Sequence, residues 1–317
     1  MLLIITFIIL ILTFLFCNAM LKRTNWYKNN FVYTKEILLS KCIQSSDEKL
    51  DVINLGSNPA RFAFFYEKVK GLNFATGSQG LNWDLAILRK YKQCLKPGSF
   101  VIIPIVLFSS ISAYLNKKPM SLSAYSRFRK VLSEDELKQR RNDWKAKLYV
   151  KYPLLFIPKA VSFLVSDIQP DNRLSIVDQI MQRSELLIDA KKWMKCWADE
   201  FDIEDLEAPL EGKLMEGRQK TITLMKALIK YAKEQGFIPV IVSPPLSKEL
   251  SKQFTPKMKK IYVDSFIEEL HEDEVMYLDY IYDERFTDDS LFFNSLFMNI
   301  KGRKLFTADV LNKLNLI

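Results

Sequence analysis

Three stretches hold polar side chains placed where they could do chemistry: "NLGSNPARF" (Asn54 to Phe62), "NFATGSQGLNWD" (Asn73 to Asp84) and "DERFTDDSLFFNSLFMNIKGRKLFT" (Asp283 to Thr307). They supply hydroxyls at Ser57 and Ser78, amides at Asn58, Gln79 and Asn294, and carboxylates at Asp283, Asp288 and Asp289, with Asp279 just upstream. Acyl transfer through a serine needs more than a hydroxyl. A histidine must take the serine proton, and a carboxylate must fix the imidazole tautomer and stabilise its charge. The chain has 1 histidine, His271 in "ELHEDE", at the end of an expected helix, where an imidazole complements the helix C-terminus. One histidine among scattered carboxylates shows no metal-ligand spacing, so no metal and no cofactor are expected.

The elements that must position these residues alternate between strand and helix. "DVINLG" (Asp51 to Gly56) is a short apolar run ending in glycine, as buried parallel strands do. Asn58-Pro59 then reads as a helix N-cap with proline at the first helical position, and Arg61 to Lys70 as continuing helix. Leu81 to Cys94 reads as helix, "LKPGS" as a turn, and "FVIIPIV" (Phe100 to Val106) as a central strand. Gln219 to Gln235 is an amphipathic helix closed by Gly236, and "FIPVIVSPP" (Phe237 to Pro245) a buried strand carrying Ser243 near its end. Lys257 to Leu270 is expected to be helical, Val275 to Tyr280 a strand and Lys301 to Leu314 a final helix. This rhythm implies an α/β fold with a parallel sheet covered on both faces. In such a sheet ligands bind beyond the carboxyl ends of the strands, where the three polar stretches all fall. Ser243 and Gln79 are there as pocket-lining donors or as structural turn residues.

Residues 109–218 break the rhythm with a long, mostly helical insertion. It includes "SEDELKQRRNDWKAKLYVKY", with capping-box spacing at Ser133 and Glu136, the apolar "PLLFIPKAVSFLV" and the acidic "DEFDIEDLEAPLE". Within a net charge of +9, Arg127 to Lys151 holds nine Lys or Arg against four Asp or Glu, a solvated helix face or a surface for anionic headgroups or glycan. No recognition motif accompanies the charge, which argues against nucleic acid as a partner. Cys42, Cys94 and Cys196, outside the apolar run that holds Cys17, show neither a disulfide framework nor a zinc spacing.

The first nineteen residues, "MLLIITFIILILTFLFCNA", carry no charge and are long enough to cross a hydrocarbon core of about 30 Å. Residues 1–20 are therefore expected to be a transmembrane anchor, 21–49 a juxtamembrane segment and 50–317 the globular domain. A cleaved signal peptide competes, because Cys17 to Ala19 offers small residues to a peptidase. Lys22, Arg23 and Lys28 follow the span, which by the positive-inside rule keeps the domain in the cytoplasm.

The three polar stretches, in their order, resemble the SGNH or GDSL hydrolase superfamily and, more closely, its membrane-anchored bacterial branch associated with cell-surface polysaccharide assembly. The resemblance runs from about Asp51 to Ala308. In that branch the first strand ends in a Gly-Ser-Ser turn whose second serine is the nucleophile, and Asn58 stands in its place. Ser78-Gln79 matches a Ser-Gln pair of the second stretch. The last stretch carries Asp, two residues and His, then asparagine and glycine; here it reads Asn294, Ser295, Leu296, Phe297, followed by Asn299 and Gly302. What the resemblance implies is a three-layer, flavodoxin-like fold of the SGNH type, an extracytoplasmic domain, and a catalytic triad replaced at all its members. Ser57 neighbours the nucleophile position but is shifted by one residue in a tight turn. The expected protein is a pseudo-hydrolase that binds surface glycan or scaffolds an acyltransferase or export partner. The competing expectation is an active esterase or O-acetyltransferase with non-standard residues.

Overall fold

The chain opens with α1 (Leu2–Leu21), among the described residues the one helix long and apolar enough to cross a membrane. Then follow β1 (Leu50–Asn54), α2 (Asn58–Arg61), β2 (Gly71–Asn73), α3 (Leu81–Tyr91) and β3 (Leu95–Pro104). After α4 (Asp143–Lys151) and α5 (Arg183–Phe201) come α6 (Gly212–Glu234), β4 (Ile238–Ser243), β5 (Met276–Asp279) and α7 (Ile300–Lys313). The structure, a computed structural model, describes residues 1–24, 26–27, 49–77, 79–117, 122, 126, 128, 131, 143–166, 181–270 and 275–317. His271, Ser78, most of the 21–49 segment and most of Arg127 to Lys151 lie outside the described residues.

The five strands form one all-parallel sheet in the order β2-β1-β3-β4-β5, a doubly wound order that reverses between β1 and β3. Register fixes which side chains share a face: Ile102 pairs with Val240, and Ile103 with Ile241. Alternate residues point to opposite faces of a strand. Val52, Ile102, Val240 and Val242 accordingly pack with Phe306, Val310 and Leu311 of α7 in one core cluster. Ile53, Val101, Ile103 and Ile241 are buried on the other side, where α6 packs on α3 and β4. Both faces are thus covered, as near-continuous apolar strands require.

Arg218, 2 % exposed, holds the second face together. Its guanidinium donates to the Glu269 carboxylate (2.9 Å), the Ile261 carbonyl (2.8 Å) and the Ser265 hydroxyl (2.9 Å), tying α6 to the π-helical turn Lys260–Asp264 and to Ser265–Leu270.

Two expectations are corrected. The helix after β1 ends at Arg61, and Arg61 to Lys70 does not continue it. Its aromatic residues go elsewhere: Phe64 is fully buried against Phe306, and the Phe65 N–H donates to Thr307 Oγ1 at 2.8 Å. The chain then forms the edge strand β2, whose Gly71 leaves no room for a Cβ beside the Tyr66 ring. Tertiary packing overrides local propensity here. "LKPGS", expected as a turn before a strand, lies inside β3 as an irregularity. Val52 pairs with Phe100 and Leu50 with Leu95, so the extra residues loop out around Gly98 (φ 82°). Ser99 closes that loop, accepting from Lys96 N and donating to Leu50 O.

The described chain clusters into two units, Met1–Ser40 with Met120–Leu174, and Lys41–Pro119 with Ser175–Ile317. The insertion is therefore shared: residues 120–174 belong with α1, and residues 175–218, including α5, belong with the sheet.

Asn299 and Gly302 hold α7 in place. Asn299 caps it by accepting from Gly302 N, and its own amide donates to Ser290 O at 2.7 Å. A Cβ on Gly302 would sit 2.2 Å from the Leu291 carbonyl oxygen, a backbone atom that cannot rotate away. Gly302→Ala is predicted to cost about 1–3 kcal/mol of stability, as overpacking does. Denaturant unfolding of the full chain in detergent measures this; an unchanged midpoint contradicts the close approach.

Candidate functional site

The site is built at the carboxyl ends of β1, β2 and β3. β1 ends at Asn54, whose buried amide donates to Asn73 Oδ1 on β2 (3.0 Å). Asn73 Oδ1 also accepts from Ala75 N, and its own amide donates to the Phe64 and Arg61 carbonyls (2.9 and 3.1 Å). These two amides tie both strand ends to the chain leaving α2.

Gly56 makes the turn. Its φ of 103° suits glycine, and a Cβ there would lie 3.0 Å from Ala60 Cβ. Ser57 is the cap residue of α2 and Asn58 its first helical residue, so the cap falls one residue earlier than the sequence suggests. Ser57 and Asn58 are both half-buried.

Beneath the turn lies Asp84 in the first turn of α3, only 3 % exposed. One of its oxygens accepts from Gly56 N (2.9 Å) and from Gln79 Nε2 (2.6 Å). Burial pushes its pKa up to about 6, against the lowering effect of those two hydrogen bonds. Gln79 is thereby joined to the Gly56 turn through Asp84, as a buried support. Ser243 is fully buried and accepts from the Tyr277 hydroxyl at 3.0 Å, so it belongs to the sheet's interior packing.

The C-terminal stretch supplies the other wall. Asn294 Oδ1 accepts from Leu296 N (3.0 Å) and Phe297 N (2.7 Å), closing a tight local turn. Ser295 fastens that turn to α5: its backbone N–H and its hydroxyl both donate to Asp189 Oδ2, at 3.0 and 2.6 Å. Phe297 then meets three rings, Phe62 at 4.9 Å between centroids, Trp193 at 5.6 Å and Phe293 at 5.6 Å. The rings continue from Trp193 to Trp197 (5.5 Å) and from Trp197 to Phe108 (5.4 Å), just past the end of β3. Each such pair contributes about 0.5–1.5 kcal/mol beyond the area it buries. The structure therefore brings the α2 segment and the Asn294–Phe297 segment together, through Phe62 and Phe297.

The chemistry this permits is narrow. Phe297 offers no proton acceptor, and Asn294 commits its oxygen to two backbone N–H groups. Three of the four acids named from the sequence here are engaged, Asp279 with Lys259 (2.8 Å), Asp283 with Arg285 (2.5 Å) and Asp288 with Ser290 (2.7 Å), whereas Asp289 keeps a buried oxygen without a hydrogen-bond partner, and burial raises its pKa. What the site presents is amides and aromatic faces, suited to packing and to ligand stacking. A depression of 760 Å³ lies at the opposite end of the sheet, lined by Lys49, Lys68, Lys70, Lys96, Asp51 and Glu67. Its two carboxylates are paired, Asp51 with Lys96 and Glu67 with Lys304, and it has no part in the positions above.

No sequence signal singles out Asp84, Phe62, Trp193 or Asp189. An acid in the first turn of a helix reads as ordinary dipole compensation, and nothing local marks Asp189 or Trp193 as partners of a segment about a hundred residues away.

The raised pKa of Asp84 has a pH consequence. The folded state holds the proton more tightly than the unfolded chain, so this group's stabilisation is full below pH 3.8 and is lost as pH rises through about 6. Asp84→Asn, neutral throughout, is predicted to flatten the fall in unfolding free energy between about pH 4 and 6. An identical pH profile in wild type and variant contradicts the buried carboxyl. Compared with protein-family models, with curated proteins and with solved structures, the chain matches none.

Proposed function

We propose that the chain is a single-pass membrane protein whose α/β domain is of the SGNH type, without hydrolase chemistry, and with its domain on the extracytoplasmic side. It binds or scaffolds in the assembly or modification of cell-surface polysaccharide, beside an acyltransferase or export partner. Support for the fold part comes from the all-parallel sheet of order 2-1-3-4-5 and from an N-terminal helix long and apolar enough to span a bilayer. The glycan and the partner rest on the sequence resemblance.

One observation carries the inactive reading. At the position where the resemblance places the catalytic histidine, Phe297 packs its ring on Phe62 and Trp193. Ser57, the one hydroxyl next to the nucleophile position, caps α2 through its backbone and is given no base by Phe297 or Asn294. A stacked aromatic surface at the carboxyl end of a parallel sheet can receive a sugar face, which supports a binding role.

The test uses the full-length protein in detergent with p-nitrophenyl acetate and with acetylated glycans. Turnover is predicted to equal the protein-free background, and Ser57→Ala to leave it unchanged. Turnover well above background that disappears in Ser57→Ala would sink the proposal in favour of an active esterase with non-standard residues.

A further inference from the structure

Within the unit that contains α1, the covered and bare surfaces of that helix are sharply divided. Leu3 to Thr13 are exposed on every side. Only Phe14, Cys17, Asn18 and Leu21 are partly or fully covered, a spacing of three, four and seven that marks one helical stripe. From Phe14 to Leu21 the stripe climbs seven steps, about 10 Å, at the end of the helix.

The segment that covers it is "PLLFIPKAVSFLV", Pro153 to Val165. Asn18 Oδ1 accepts from the Leu154 N–H at 3.2 Å, Asn18 Nδ2 donates to Phe14 O at 2.8 Å, and the Phe14 and Tyr152 rings lie 6.1 Å apart. The 3₁₀ turn Pro158–Ser162 and the helical turn Phe163–Ser166 also touch α1. Asn18 thus satisfies a donor at the start of the 3₁₀ turn Pro153–Leu155, and the backbone needs little else. Tyr152, Leu155, Phe156 and Ile157 donate within the segment or to Leu148, and Pro153 has no N–H. Non-helical backbone beside lipid must meet this condition of satisfied donors.

The outer surface of the segment is apolar: Leu155 is 57 % exposed, Phe156 39 %, Val161 50 % and Val165 77 %. Phe156 leans one edge on the Tyr149 ring (5.4 Å between centroids), and the remaining apolar surface of the four side chains is open. From Trp144 to Val165 the charged residues are Lys145, Lys147, Lys151 and Lys159, with no acid among them. Apolar side chains flanked by lysines match the boundary between anionic headgroups and acyl chains, where interfacial segments sink about 5–10 Å. The 10 Å stripe on α1 matches that depth.

We propose that Pro153–Val165 is a second membrane contact, lying in the headgroup and acyl boundary beside the last two turns of α1. Leu155, Phe156, Val161 and Val165 enter the lipid, and the lysines meet the headgroups. This rests on the reading of α1 as a membrane span.

The full chain, with its native cysteines replaced, is reconstituted in phosphatidylcholine–phosphatidylglycerol vesicles, carrying one cysteine at Phe156→Cys or Val161→Cys labelled with an environment-sensitive fluorophore. Leu10→Cys in α1 reports the anchor, and Ile188→Cys, 68 % exposed on α5, reports the sheet unit. Labels at 156 and 161 are predicted to lose most of their emission to doxyl-chain lipids and to resist aqueous iodide, as the label at 10 does. Iodide quenching at 156 and 161, with lipid quenching at 10, overturns the inference and leaves the anchor intact. Shielding of 156 and 161 from both quenchers reveals a protein occupant and also overturns it. Iodide quenching at 10 overturns the anchor reading and this inference together.

Discussion

Three parts of the chain, far apart in sequence, meet at the Phe297 ring: the segment leaving β1 through Phe62, the inserted helix through Trp193, and the C-terminal stretch that carries Phe297 itself. The meeting is set up by polar bonds that leave little slack. Asn294 closes the turn that aims Phe297, and Ser295 anchors that turn to Asp189 on the inserted helix. Gly56, held by Asp84 from below, sets where the Phe62 segment begins. An imidazole at position 297 would have needed a carboxylate on one side and a hydroxyl on the other. A phenyl ring needs only other rings, and it finds them.

The remainder of that stretch serves the fold. Asn299 caps the last helix and Gly302 lets it approach the Leu291 carbonyl, so both are required whatever chemistry the neighbouring positions perform. This separates the two kinds of residue in the resemblance. Asn299 and Gly302 hold the α/β frame, and Asn58, Asn294 and Phe297, where the resemblance would put proton-exchanging groups, are amide and phenyl side chains. Phe297 is half-buried, and its ring contacts with Phe62, Trp193 and Phe293 make it part of the frame.

Much of the frame is legible in the sequence because its signals are local. β1, β3, β4 and β5 are apolar runs, and Gly236 at φ 75° stops the helix before β4 where glycine predicts a stop. β2 is three residues long with a half-buried pattern, too short for any periodicity, and the aromatic run before it looks helical until Phe306 and Thr307 claim its residues. The site was legible by position and not by contact. Asn58, Asn294 and Phe297 stand out only through the resemblance, whereas Phe62, Trp193, Asp84 and Asp189 act across about thirty to more than two hundred residues, and no local pattern encodes such pairings. The apolar stretch Pro153–Val165 is visible in the sequence as composition alone; the bond from Leu154 N to Asn18 places it beside the end of α1.

The Phe62 and Phe297 rings form a packed contact that joins the segment leaving β1 to the C-terminal stretch. A double-mutant cycle of Phe62→Ala and Phe297→Ala, read as unfolding free energy of the full chain, measures that contact directly. A coupling of about 0.5–1.5 kcal/mol between the two positions is expected. Strict additivity of the two substitutions would contradict it.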